Sequence, residues 1–137
     1  MDEKPQEHLA RRLNEITPAM VNDLYTSYLN DPQLLEKYGN HSLRSMAEQS
    51  MVSFRDIMLG ALEFNAPSLV THELSWLDRL LESRHLDHGR IHLFLEIFRQ
   101  RVRSDLAPEE YTPVIKLLDA SEKYLDEKLK ATEKEPK

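Results

Sequence analysis

A chain of 137 residues that is 40% hydrophobic and 31% charged has the size of one ordinary domain built on one continuous core. A formal net charge of −6 works against affinity for nucleic acid or an anionic membrane, since both reward a positive surface. The absence of cysteine removes disulfide frameworks, thiol nucleophiles and cysteine-held metals; no apolar run approaches the ~20 residues of a bilayer span and the polar start MDEKPQEH lacks a signal-peptide core, so the expected location is cytoplasmic.

Only three glycines occur, and no segment joins alternating polarity to β-branched enrichment and hairpin turns, so the chain reads as all-α. Thr17-Pro18, Asp31-Pro32, Ala66-Pro67 and Thr112-Pro113 each stand where an apolar-periodic stretch begins, the way helix starts are written. Leu9, Leu13 and Ile16 define a short first helix, which is expected to stop at Thr17 because proline disfavours helical geometry in the residue before it. Thr17 then caps a second helix carrying Val21, Leu24, Tyr25 and Tyr28. Asp31-Pro32 launches a very short third helix with Leu35 and Tyr38, and Gly39 ends it. From about Leu43 to Phe64 a long helix of ~33 Å presents one broad apolar stripe through Met46, Ala47, Ser50, Met51, Phe54, Ile57, Met58, Ala61 and Leu62.

After Asn65-Ala66-Pro67, a helix from Ser68 to about Arg84 places Val70, Leu74, Leu77 and Leu81 on one face, with Leu69, Trp76 and Leu80 beside them. A helix from His88 to about Asp105 follows, with Ile91, Phe94, Leu95, Phe98 and Val102. Thr112 and Pro113 cap the last one, which carries Val114, Leu117, Leu118, Ser121, Leu125 and Leu129. The predicted architecture is a single bundle of six to seven helices over residues 1–129, followed by a charged, flexible tail at 130–137. No repeat is visible.

Chemistry-bearing residues are few. SRHLDHGRIH, residues 83–92, sets His85, His88 and His92 at i, i+3, i+7, which one continuous helix would turn into a zinc or nickel site. Asp87 is a good cap and Gly89 a poor helix-interior residue, so the stretch reads instead as a helix break that scatters the rings, and no metal site is expected. Phosphate loops, nucleophile elbows and HExxH are absent; the di-iron candidates Glu48, His72, Glu73 and Glu96 form no ExxH pair with one another, and no catalytic residue is expected. Glu109-Glu110 suits a helix start, where the dipole favours negative charge. Arg99, Arg101 and Arg103 close a helix whose dipole they complement, with Glu96 and Asp105 in reach, and no aromatic interleaving suggests nucleic acid. Gly60, mid-helix, costs ~1 kcal/mol relative to alanine and suggests close approach by another helix or a ligand.

The helix order, short, medium, very short, long and then three of similar length, together with LLEKYG at 34–39 and FRDIMLGALEFNAPSLVTHELSWLDRLLESR at 54–84, resembles globin-like helical sensor modules. These include the non-haem modules of stressosome proteins and related domains beside cobalamin-binding domains in bacterial regulators. The resemblance implies a globin-like bundle acting as a non-enzymatic sensory or regulatory module that dimerises or binds a partner helical protein, with or without a small apolar ligand. Phe54 stands where the cobalamin-associated group carries a histidine, which removes one polar contact. No cofactor is expected; the alternative is haem or an apolar ligand held by His72, Phe54 and Trp76, His72 being the one histidine on the helix after the long one. The wide arc of Leu69, Val70, Trp76, Leu77, Leu80 and Leu81 marks the surface for self-association through helix-against-helix packing, unless that helix is central and covered all round.

Overall fold

Apolar residues at helical spacing run without interruption from Leu9 through Leu13, Ile16 and Met20 to Leu24. In the computed structural model, which describes residues 4–134 and side chains up to residue 130, they lie on one helix, α1 (Pro5–Leu29). Two helices separated at Thr17 were expected, and this is a correction: Pro18 sits inside α1. An interior proline removes one backbone hydrogen bond and costs about 3 kcal/mol, but the inward stripe continues across it, so burial outweighs the local preference. Thr17 does not cap; its Oγ1 donates 2.7 Å to the carbonyl of Leu13, one turn back, and accepts from Arg55 Nη1 at 3.3 Å.

Asp31 starts α2 (Pro32–Glu63), its Oδ1 accepting from the backbone N–H groups of Gln33 at 3.1 Å and Leu34 at 3.3 Å. Gly39, expected to end a separate short helix, instead kinks α2 with φ +79° and ψ 163°, and the helix resumes at once into the long apolar stripe. Both ends of the next element are shaped by left-handed residues. Asn65 (φ 50°) closes α2, the N–H of Ala66 reaching back to the carbonyl of Ala61 at 2.8 Å. His85 (φ 58°) closes α3 (Ser68–Ser83) in the same way, Leu86 N–H reaching Leu81 at 2.8 Å and His85 N–H reaching Glu82 at 3.1 Å.

After that break, Asp87 Oδ1 takes the backbone N–H of Gly89 at 2.8 Å and α4 (Gly89–Asp105) begins. The last helix, α5 (Pro108–Lys134), begins one turn before the expected Thr112-Pro113 cap, and Pro113 lies inside it. Its start is built by Pro108 and by Glu110, whose carboxylate accepts the backbone N–H of Ala107 at 2.7 Å. Helix continues to Lys134 and so enters the segment assigned to the tail; residues 135–137 of that segment lie outside the described residues.

Among the described residues there are thus five helices and no strand, fewer than the six to seven expected, because Pro18 does not divide α1 and the short segment before Gly39 runs on into α2 across the kink. α1 packs on α2 and also meets α4, while α5 packs on α3 and α4. Phe54 is the hub of the main core, its ring edge-on to Phe94 at 5.2 Å and to Phe98 at 5.1 Å. A smaller cluster of Leu34, Leu43 and Leu86, with Tyr25, Tyr28, Tyr38 and Met46 against it, fills the end near the Gly39 kink.

Candidate functional site

Where the main core meets that smaller cluster, the helices leave a cavity of about 100 Å³ between α2, α3 and α4. Its walls are apolar: Leu34, Met46 and Phe54 from α2, Leu77, Leu80 and Leu81 from α3, then Leu86, Ile91 and Phe94. Four polar side chains also line it, namely Tyr28, Ser50, Glu73 and Arg90. Mostly apolar walls with a few convergent polar groups are the usual make-up of a small-molecule site.

Arg90 is placed by the capping of α2. Its Nε donates to Asp31 Oδ2 at 2.9 Å, and its Nη2 lies 2.7 Å from the same oxygen and donates to Gln33 Oε1 at 3.0 Å. One carboxylate therefore starts a helix with one oxygen and holds a guanidinium with the other. The join that precedes α4 is stitched to the same segment, Lys37 Nζ donating to the Arg84 carbonyl at 2.8 Å and Arg84 Nη1 to the Tyr38 hydroxyl at 3.1 Å. Arg90 Nη1 is left over. It is buried without a hydrogen-bond partner, a condition shared among the described residues only with Ser121 Oγ. Buried donors are normally paired, and one left unpaired costs its desolvation, so this arm is the most unusual atom of the cavity.

The other ionisable groups feel the apolar surroundings. Burial pushes the Glu73 carboxyl above its ordinary value, and no partner of that carboxyl is found among the described residues. Burial also raises the Tyr28 phenol, with the Ser50 hydroxyl and the charge of Arg90 working the other way. Glu73 and Leu81 are two turns apart on α3, ~12 Å along the axis, and Leu81 touches the Leu86 end that carries Arg90. The cavity is therefore polar at two separate ends with apolar walls between.

Of the three residues named for an apolar ligand or haem, Phe54 alone lines this cavity. His72 and Trp76, at i, i+4 on α3, do not line it; His72 is half-buried and Trp76 is 50% exposed. The three residues are therefore not brought together around the space that Phe54 borders. The histidines of 83–92 are dispersed: His88 Nδ1 meets Asp78, His92 meets Glu122 at 2.6 Å and Asp126 at 3.2 Å, and His85 is the left-handed residue of the turn. No group of three metal-binding side chains occurs among the described residues. Arg99 bridges Glu96, Asp119 and Glu122, and Arg101 pairs with Asp23 and Asp105, so these cations tie helices together. Gly60 marks no close approach, since a Cβ there would meet only Leu69 Cδ1 at 3.9 Å.

Sequence reasoning passed over Arg90 and gave Glu73 no place in a binding site. For Glu73 a signal exists: it falls at helical spacing with Val70, Leu74 and Leu77, a carboxylate inside an apolar stripe. No protein-family model, curated protein or solved structure matches this chain.

Proposed function

We propose that this chain is a non-enzymatic sensory or regulatory module whose α2–α3–α4 cavity takes a small, largely apolar molecule. The observation that carries the reading is an apolar-walled space of about 100 Å³ lined by Arg90, whose Nη1 is buried and unpaired. A ligand there touches the kink-proximal cluster and the main core together, so occupancy stiffens the join between them. The globin-like arrangement belongs to this proposal; in its favour is the short segment before Gly39 followed by a long helix, the order on which that resemblance rests.

A sensor needs an output, and the outward face of α3 supports association as that output. Leu69 (44% exposed), His72 and Trp76 form a stripe at i, i+3, i+7, with Phe64 (73% exposed) in the turn before the helix. Native mass spectrometry of freshly purified protein tests both parts. The proposal expects a bound molecule of low mass and a dimer that Trp76→Glu reduces to monomer; protein that is ligand-free and monomeric at micromolar concentration contradicts it.

A further inference from the structure

The two polar ends of the cavity constrain the chemistry of what it holds, on the premise that the cavity is a ligand site. At the inner end, the positive charge of Arg90 is already met by Asp31, through Nε at 2.9 Å and Nη2 at 2.7 Å. What remains on offer is one nitrogen, Nη1, with its two N–H donors, buried and unpartnered. At the other end, Glu73 contributes either no charge or a negative one, and the remaining titratable lining residue, Tyr28, is a phenol. The formal sum over Arg90, Asp31, Glu73 and Tyr28 is never positive. An anionic head placed at Nη1 would thus lose its hydration without gaining net opposite charge, which is the costly way to bury an ion. A cationic head there would leave Nη1 still unpaired and face a like charge. An uncharged oxygen satisfies the donor and carries no ionic desolvation cost.

Size sets the rest. We propose that the ligand is an uncharged amphiphile of about seven to ten non-hydrogen atoms, each taken to need roughly the 10–15 Å³ of accessible space that one water does, ending in a hydroxyl or carbonyl oxygen that accepts from Arg90 Nη1. Its apolar body lies along Leu77, Leu80, Leu81 and Phe94, towards the Glu73 end. Ser50 and Tyr28 line the same cavity and supply hydroxyls that can meet a second lone pair.

Isothermal titration of the full chain at pH 7 with 1-heptanol, heptanoate, heptylamine and toluene tests this. Heptanol is expected to bind about tenfold more tightly than toluene, the gain of one hydrogen bond from a charged donor, and at least that much more tightly than either ion. Arg90→Lys keeps a cation for Asp31 and removes the spare arm; it is expected to bring heptanol down to the affinity of toluene while toluene is unchanged. Heptanoate or heptylamine binding as tightly as heptanol overturns the inference, as does an Arg90→Lys protein that still prefers heptanol. The ranking of the four probes on the unaltered chain decides the matter even if the variant does not fold. Binding of toluene with no preference for heptanol sinks the head-group assignment and leaves the cavity reading standing, whereas failure of all four probes to bind overturns both.

Discussion

Glu73 stands between Val70 and Leu77 on the inward side of α3, and the same placement that makes it a cavity residue makes it a liability for the fold. Its carboxyl is raised above the unfolded value by burial, so the folded state favours the neutral form. That contribution is whole below the unfolded value and is lost as pH rises through the raised one. Glu73→Gln is therefore expected to raise the thermal midpoint at pH 7 and to leave it unchanged near pH 3, a pair of melting scans that a purely surface role would not separate. Phe54, 1% exposed and edge-on to two other rings, sits at the opposite extreme. Its truncation to alanine is expected to cost about 3–5 kcal/mol in urea unfolding, and a loss under 1 kcal/mol would contradict its place as hub. Glu73 was open to reading from helical spacing alone; the spare arm of Arg90 was not, because it depends on which atoms Asp31 and Gln33 take from a different part of the chain.

Among the elements, the breaks at Gly39, Asn65 and His85 were legible because each ends an apolar stripe or sits beside a turn-forming residue. The local backbone there agrees with the long-range packing. Pro18 and Pro113 were misleading for the opposite reason. Proline speaks only for its own turn, whereas the stripe through Leu13, Ile16, Met20 and Leu24 is satisfied only by a helix that continues. The two interior glycines separate in the same terms. Gly60 is helical with space around its α-carbon, so Gly60→Ala is expected to stabilise by about 0.5–1 kcal/mol through the lost entropy of the unfolded chain. Gly39 lies in a region that only glycine enters readily, and Gly39→Ala is expected to destabilise by about 1–3 kcal/mol. Denaturant midpoints of the two variants moving in the same direction would refute this distinction.

For the whole molecule, the helices are tied at their outer seams by carboxylates as well as by the core. Glu110 of α5 takes the Ala107 backbone N–H, and meets His8 and Arg12 of α1 at 2.6 and 3.1 Å; its carboxyl lies below the ordinary value, first because of that backbone bond and then because of the His8 hydrogen bond and the Arg12 guanidinium. Burial works to raise Glu122, but His92 and Arg99 of α4 overcome it and leave it lowered too. Both groups give stability that is present above the unfolded carboxylate range and lost as pH falls through their lowered values. Acid unfolding is expected to set in below about pH 4, and Glu122→Gln to flatten the loss between about pH 5 and pH 2.

These seams hold a body with a cavity between α2, α3 and α4, and the proposed function requires that space to accept a guest. Methyl-labelled NMR during titration with toluene reads it directly. Saturable shifts are expected, confined to Leu34, Met46, Leu77, Leu80, Leu81, Leu86 and Ile91, with Leu69 on the outward face unmoved. Shifts gathered at Leu69, or none at any methyl up to the solubility limit of toluene, would contradict it.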